Sequence, residues 1–576
     1  MSWIFGIYGN ISAEHIAKSK LLHKSTKNIV YNNNYYIACG GMEGTYHFYN
    51  SNQNNVSSGI AVCGTGFSNS NNQYKLLNKK DWYDLFINNK SGSTNTDGHF
   101  CGVHWDDSKV NVFTDAAGVY DIYYFESRDL IYFSTEIFLL NTLIEYSEIE
   151  IKVFASRWLC INQMSDGSII KNIKRLCRSR LLIDKKGISI VRYEKIKMQN
   201  PTQKNLGNEL SSLLGSVINS GLDISLSLSG GMDSRLLLSL LTSLGEKNFS
   251  LHTFGHPDHM DSVIASKIAK DLNIKYQQFY SLVTAKSECI EFISDYIKNT
   301  MCINPCSTAF QLRYYPLLYK KNTIIVDGGF GELGRRYYLN RILYGNKKII
   351  LNGIADKIFE YLKFKHADIF SEVVNKEMIN DSIKDISKLI SEMPDANQIG
   401  AENWADMFSY ITRLPNSHGV EQKRMNNYVI NLMPFCFKSV FEIIINTKVK
   451  DRNDRKAYKK IISQHNPALT NYPLVSGNLL YPFSSGTIKS KLFLASKKFR
   501  KKNSTLPSNY YYLENVKEFV LDLLNSESTK NYDLYDYKKI SENVNKYYKG
   551  DSGLADYTDW WLSFEILRRK IYKINF

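Results

Sequence analysis

The chain lacks any apolar run long enough to cross a bilayer. Its first residues, "MSWIFGIYGN", carry no basic lead, no extended apolar segment and no small-residue cleavage site, which predicts a cytoplasmic address. Cysteine spacing excludes a zinc ribbon or a disulfide scaffold. The nine cysteines (Cys39, Cys63, Cys101, Cys160, Cys177, Cys289, Cys302, Cys306 and Cys436) are scattered and odd in number. Only Cys302 and Cys306 are close, and no second pair or histidine cluster stands at a zinc-like distance. They read as reduced, mostly buried thiols. His256 and His259 in "GHPDHMD" have no third ligand in view. No internal repeat is present.

What is there is a globular composition, 43% hydrophobic and 22% charged over 576 residues. That length corresponds to about two to four domains. The formal charge is +16, from 72 Lys+Arg against 56 Asp+Glu, and such a field favours anionic partners. The densest patch, "TIKSKLFLASKKFRKKNS" at 487–504, contains no acid. It reads as a solvated basic face or as a contact for an anionic partner.

Two regimes follow along the chain. Asn/Ser-rich stretches at 50–58, 67–73 and 90–97 read as surface loops. Between and after them, "GIAVCGTGF", "HFCGVHWDD", "KVNVFTD", "GVYDIYYFE" and "LIYFSTEI" read as short strands. A mostly β domain therefore spans 1–196, closed by a strand at 187–196, and 197–205 reads as a linker. From 206 to 576 the pattern changes. "NLGNELSSLLGSVINSG" has helical spacing, "LDISLSLS" is a buried-strand candidate, and "SRLLLSLLTSLG" is a helix ending at Gly245. "FSLHTFG", "DSVIASKIAKDLN" and "KYQQFYSL" continue a βαβαβ alternation, which predicts a parallel sheet flanked by helices. Another strand, "NTIIVDGGFGE", ends in glycines, and beyond about residue 340 the chain is largely helical.

The join between strand and helix, "SLSLSGGMDSR", carries the chemistry. Strand ends of parallel sheets bind ligands. After Leu228 and Ser229, Gly230 and Gly231 allow a tight turn and a close backbone approach to an anion, and the next helix N-terminus adds unpaired N–H donors. Ser229 and Ser234 supply hydroxyl donors. Asp233 has the wrong sign for a phosphate, yet suits Mg²⁺ bridging carboxylate and phosphate oxygens. The bland alternative is a glycine turn whose Ser and Asp cap the helix. The Gly-Lys-Ser/Thr ending of a Walker A loop is absent.

Ser-Gly-Gly-x-Asp-Ser resembles the pyrophosphate loop of the ATP pyrophosphatases. That resemblance implies a grip on the β,γ-phosphates and attack at the α-phosphorus, yielding AMP and pyrophosphate. "IIVDGGFGELGRRYY" (324–338) resembles the Ser-Gly-Glu-Gly-x-Asp-Glu segment of class B asparagine synthetases. Asp327 and Gly328 then fall on nucleotide-contacting positions, and Glu332 on a magnesium-binding acid. "HTFG" (252–255), with Phe254 and Gly255, falls on the strand end that lines adenine. "MSWIFGIYG", "TDAAGVYDIYYFESRDLIYFSTEIFLL", "SDGSIIKNIKRLCRSRLLI" and "RMNNYVINLMPFCFKSVFEIIINT" are similar to further segments of that family. The implied fold is α/β: an N-terminal Ntn-hydrolase-like αββα domain, a C-terminal parallel-sheet ATP-pyrophosphatase (HUP-like) synthetase domain, and a helical C-terminal extension.

The departures are chemical. The family's N-terminal glutaminase nucleophile, a cysteine, is Ser2 here. Its glutamine-holding Asn-Gly-Glu is Cys63-Gly64-Thr65. A terminal Ser is a workable nucleophile, but nucleophile and amide-holding residues change together, which implies a retired glutaminase. The family's acid/base Glu is Gly329. Its adenylate-stabilising Lys is missing from "TNYPLVSGNLLYPF" (470–483). The charge that gathers on pentacoordinate phosphorus needs a cation; Arg455 and Lys456 are the candidates, with Arg335 and Arg336 as a second pair.

These readings imply an ATP- and Mg²⁺-dependent, AMP-forming amide ligase without glutamine hydrolysis. Relatives lacking the N-terminal cysteine include β-lactam synthetases and lasso-peptide cyclases, and others amidate acidic sugars of surface polysaccharides. The expected partners are a carboxylate substrate, peptide or acidic sugar, and an amine acceptor. Three alternatives stand beside this. A tRNA-modifying pyrophosphate-loop enzyme would use the basic field, although no RNA-binding module is legible. A glutamine-dependent amidotransferase would use Ser2. A non-catalytic partner subunit would fit the losses at Gly329 and the Lys.

Overall fold

The computed structural model describes every residue except 1, 23–25, 54–55, 71–72, 89–95, 197, 199–204, 246–247, 281–285, 312–313, 321, 336–337, 365, 478, 487, 491 and 493–509. The chain is α/β, with two antiparallel sheets in its first third and a parallel sheet after them. One six-stranded sheet runs β11-β9-β10-β1-β3-β2. In chain order its strands are β1 (Trp3–Gly9), β2 (Asn28–Tyr31), β3 (Tyr35–Gly40), β9 (Ile122–Ser127), β10 (Leu130–Ser134) and β11 (Lys174–Leu176). The other sheet runs β13-β12-β8-β7-β5-β4, with β6 paired to β5. It comprises β4 (Tyr46–Gln53), β5 (Val56–Ser70), β6 (Gln73–Leu76), β7 (Thr96–Trp105), β8 (Lys109–Thr114), β12 (Ser179–Asp184) and β13 (Gly187–Arg192).

Side-chain alternation gives this second sheet two apolar faces. Ala61 and Cys63 of β5, Cys101, Val103 and Trp105 of β7, and Val110 and Val112 of β8 join the main core. Their sequence neighbours Ile60, Val62, Phe100 and Phe113 pack with Trp82, from the helix Lys79–Asn88, on the opposite face. Two of the expected surface loops are instead ladder. β4 and β5 pair from Tyr46↔Cys63 out to Gln53↔Val56, so the polar stretch 50–58 forms most of a hairpin's far end. Residues 67–70 pair with β6. Backbone pairing needs no apolar side chain, and at an edge polar residues hold it as well. Of 90–97, only Thr96 and Asp97 are described, and they open β7.

The parallel sheet has the order β16-β15-β14-β17-β18. Its strands are β14 (Asp223–Ser227), β15 (Phe249–Phe254), β16 (Lys275–Phe279), β17 (Thr323–Val326) and β18 (Ile430–Leu432). All four pairings are parallel. Ile224 and Leu226 of β14 are buried in the main core beside Leu210, Leu213 and Leu214 of the helix Leu206–Asn219. The helix Asp233–Ser243 buries Leu236, Leu237, Leu238, Leu240 and Leu241, and Gly245 beyond it takes φ +76. That left-handed conformation, cheap for glycine, stops the helix where the sequence places its end. β18 was not anticipated from the sequence. Three residues suffice because β17 already offers an open edge.

Both parts share one apolar core, in which Trp3, Leu226 and Ile571 belong to the same cluster. Phe67 meets Phe437 with ring centroids 5.4 Å apart. All nine cysteines are free and buried. Among the described residues no helix is long and apolar enough to cross a membrane. Of the sequence-defined linker 197–205, only Met198 and Asn205 are described.

Candidate functional site

The turn 229–232 leaves the C-terminal end of β14, the middle strand of the parallel sheet, and enters the helix at Asp233. Leu228 is buried and tied on both sides. Its N–H donates to the His252 carbonyl at 2.9 Å, and its carbonyl accepts from Thr253 Oγ1 at 2.6 Å. The turn then folds on its own hydroxyls. Ser234 Oγ accepts from the Ser229 N–H at 3.2 Å, and Ser229 Oγ from the Gly231 N–H at 3.1 Å. Gly230 donates to Asp261 Oδ1 at 2.8 Å.

Close approach explains the glycines. A Cβ on Gly230 would lie 2.1 Å from Val475 Cγ2. One on Gly328 would lie 2.8 Å from the Ser234 nitrogen, and one on Gly331 2.7 Å from Asp233 Cγ. The 327–332 segment therefore lies directly against the start of the Asp233 helix, bringing together two motifs about a hundred residues apart. Burial raises the Asp327 carboxyl above its usual pKa, and the Asp233 charge adds to this. The Gly329 N–H, 2.5 Å from Asp327 Oδ1, pulls the other way.

Glu332 sits in this segment, but Arg413 Nη1 holds its Oε1 at 3.1 Å and His418 Nε2 lies 3.6 Å from it. Among the described residues no three His, Cys, Asp or Glu groups gather as a metal site. The expected Mg²⁺ pair, Asp233 and Glu332, is two carboxylates, of which Glu332 is also engaged by Arg413. The expectation of Mg²⁺ on Asp233 and Glu332 matches the one or two carboxylates that this ion commonly takes together with substrate phosphate oxygens.

At the end of β15, Phe254 packs among aromatic rings. It stacks on Tyr314 at 5.7 Å and meets Tyr315 edge-on at 5.3 Å. Gly255 follows with φ +124, a conformation that favours glycine, and its N–H donates to the Phe279 carbonyl at 3.1 Å. A flat apolar surface thus stands one strand away from the turn.

The stretch 470–483, which lacks the expected Lys, forms the antiparallel pair β19 (Leu474–Ser476) and β20 (Leu479–Tyr481) over the turn. Val475 N–H donates to the Gly230 carbonyl at 3.1 Å. Arg235, fully buried, fastens this lid by donating to the Tyr472, Pro473 and Gly230 carbonyls at 2.7, 2.8 and 3.2 Å. Burial lowers its pKa to about 10. Arg455 lies over the Tyr481 ring at 5.3 Å, and its buried Nη1 has no hydrogen-bond acceptor. Asp454 and Arg455 both take positive φ, +55 and +62, which is costly for residues with a Cβ. Lys456 is exposed. Of this pair, only Arg455 packs against the lid. Arg336 and the Arg335 side chain lie outside the described residues, as does most of 487–504.

The positions expected for a glutaminase lie at the junction between the two parts and are tied into it by contacts. Ser2 Oγ pairs with Thr45 Oγ1 and donates to the Asn426 carbonyl at 3.2 Å. Thr65 Oγ1 donates to the Asn431 carbonyl of β18 at 2.8 Å. Cys63 stands opposite Cys101, and burial pushes its thiol well above the ordinary range. His256 and His259 each accept a backbone N–H two residues on, from Asp258 and Asp261, and so shape turns.

Asp261, Val475 and Arg413 were not expected at the site from sequence, and Arg235, inside the 229–235 loop, was not expected to fasten the 470–483 stretch. Asp261 stood inside the quoted "GHPDHMD", and Arg235 closed the opening motif. Neither role had a local signal, because Asp261 meets Gly230 31 residues away and the lid carbonyls that Arg235 binds are more than 230 residues away.

No protein-family model matches the chain, and no curated protein matches it. Among solved structures, it is similar at 11% identity to glutamine phosphoribosylpyrophosphate amidotransferase from B. subtilis, complexed with ADP and GMP. That match covers 48% of this chain and 65% of the other, with a TM-score of 0.22, so the chain spans less than two thirds of that enzyme's length. A second, described as the allosteric regulatory enzyme of purine biosynthesis, is 11% identical over 56% of this chain and 74% of its own, with a TM-score of 0.23.

Proposed function

We propose that the chain is an enzyme, an ATP-dependent, AMP-forming carboxylate–amine ligase built on a HUP-like synthetase domain. The Ntn-like N-terminal part is a retired glutaminase. The carrying observation is the Ser229–Ser234 turn at the central strand end, crowded by Gly328 and Gly331 until no side chain fits between the two motifs. Turns of this kind at parallel strand ends hold phosphates on backbone N–H groups.

In this reading ATP lies along the C-terminal edge of the sheet. Its pyrophosphate rests on the 229–234 turn, and its base stands beside Phe254 and Gly255. Asp327 and Gly328 flank the ribose and phosphates. Asp233, with Glu332, would hold Mg²⁺, which would supply charge neutralisation when bound. The substrate carboxylate attacks the α-phosphorus, the α–β bridging oxygen leaves with pyrophosphate, and an amine then displaces AMP from the acyl-adenylate. Arg455 supplies positive charge from the lid side, where its Nη1 lacks an acceptor. Orientation and fixed charge do the catalytic work.

The substrate is an acidic sugar or a peptide carboxylate, consistent with the +16 charge. The contacts of Ser2 with Thr45 and of Thr65 with Asn431, and the burial of Cys63, support the loss of glutaminase function. The test is a screen of carboxylates for AMP and pyrophosphate formation by the full chain. Formation of ADP and phosphate instead would contradict the reading.

A further inference from the structure

A cleft of about 50 Å³ opens at the junction of the two parts, with Ser2 on its wall. Tyr123, Thr135 and Glu136 line it from the N-terminal part, and Lys298, Lys423, Arg424 and Asn427 from the other. Two of its cations are occupied in different degrees. Lys423 Nζ is 2.5 Å from Asp121 Oδ1 and so neutralised. Arg424 is 5% exposed, gives its Nε to Glu421 Oε2 at 3.0 Å, and also hydrogen-bonds the Tyr428 side chain. Its Nη2 is buried without a hydrogen-bond acceptor. The rings of Tyr296, Tyr315 and Tyr428 hold the guanidinium, with centroids 5.4, 5.8 and 5.9 Å from its central carbon. Lys298, half-buried on the helix Lys286–Thr300, has no carboxylate within 4 Å among the described residues, although its charge and that of Arg424 both act on the Asp295 carboxyl.

A buried, unsatisfied guanidinium N–H is costly unless something fills the space before it. Beside a second cation, the group that best matches a guanidinium edge is a carboxylate. A space of this size admits a few non-hydrogen atoms. We propose that this cleft is a binding site for a small carboxylate, received by Arg424 Nη2 and Lys298. The ligand is acetate-sized, or is the carboxylate end of a larger molecule. The site is separate from the nucleotide turn and does not depend on the ligase reading. It still touches the same aromatic cluster, since Tyr315 packs edge-on against Phe254.

The probe is ¹³C-acetate titrated into the full chain and followed by NMR line broadening. We expect one saturable site. Lys298→Met and Arg424→Lys, each checked for a native circular-dichroism spectrum, should weaken it at least about tenfold, as expected for a lost charge-assisted hydrogen bond. Asp233→Ala should leave it unchanged, so failure here and failure of the ligase reading are separable. If Arg424→Lys does not fold, Lys298→Met decides alone. Absence of saturation, meaning water alone fills the cleft, or binding indifferent to Lys298→Met, would overturn the proposal.

Discussion

The Gly230 N–H donates to Asp261 Oδ1 at 2.8 Å, so a carboxylate of the chain itself occupies a donor of the phosphate-type turn. Asp261 opens the helix Met260–Asp271, which follows β15. It therefore fixes the turn before any ligand arrives, and it opposes an incoming anion by its charge. Asp261→Asn keeps an acceptor oxygen and removes the charge. We expect pyrophosphate to bind about fivefold tighter, the order set by ~1 kcal/mol between unit charges 4 Å apart in water. Calorimetric titration checks this, and unchanged or weaker binding would show that Asp261 does not face the ligand.

Gly328 and Gly215 make opposite cases. A Cβ on Gly328 meets the backbone nitrogen of Ser234 at 2.8 Å, whereas one on Gly215 meets nothing within 4 Å. Gly328→Ala should destabilise the protein by about 1–3 kcal/mol through forced displacement. Gly215→Ala, inside the helix Leu206–Asn219, should stabilise it by up to about 1 kcal/mol. Denaturant midpoints of the two variants should move in opposite directions.

Ser2 Oγ is committed to Thr45 and to the Asn426 carbonyl. Glutamine should therefore not be hydrolysed, and Ser2→Ala should leave the glutamate-release trace at background, as in the parent chain. Glutamate release that requires Ser2 would revive the amidotransferase alternative.

His252, on β15, is buried with Nδ1 2.8 Å from Ser225 Oγ, and burial lowers its pKa to about 3. An unfolded histidine titrates near ~6.5. Between these values the unfolded chain binds the extra proton, so stability is full above pH ~6.5 and falls as pH drops toward about 3. His252→Gln should shrink the loss of stability between pH 7 and pH 5 in urea titrations. An unchanged loss would mean that His252 is protonated in the folded protein.

How much of this was legible in the sequence depends on contact range. β14, β15 and β16 with their intervening helices came through because each is a continuous local pattern of apolar residues bounded by turn signals. The polar hairpin of β4 and β5 did not, because its ladder is carried by backbone pairing rather than by apolar side chains. At the site, Ser229, Gly230, Gly231, Asp233 and Ser234 were legible as one contiguous motif. The hold of Arg413 on Glu332, 81 residues away, and of Arg235 on residues 472 and 473 are products of tertiary packing alone. So is the difference in surroundings between Arg455, packed over the Tyr481 ring, and its exposed neighbour Lys456.

The central claim is that the 229–234 turn holds the pyrophosphate of ATP while a carboxylate attacks the α-phosphorus. Carboxylate-dependent exchange of labelled pyrophosphate into ATP tests it most directly, in the parent chain and in Asp233→Ala. We expect exchange in the parent with an activating carboxylate and none in the variant. Full exchange by Asp233→Ala would contradict the account.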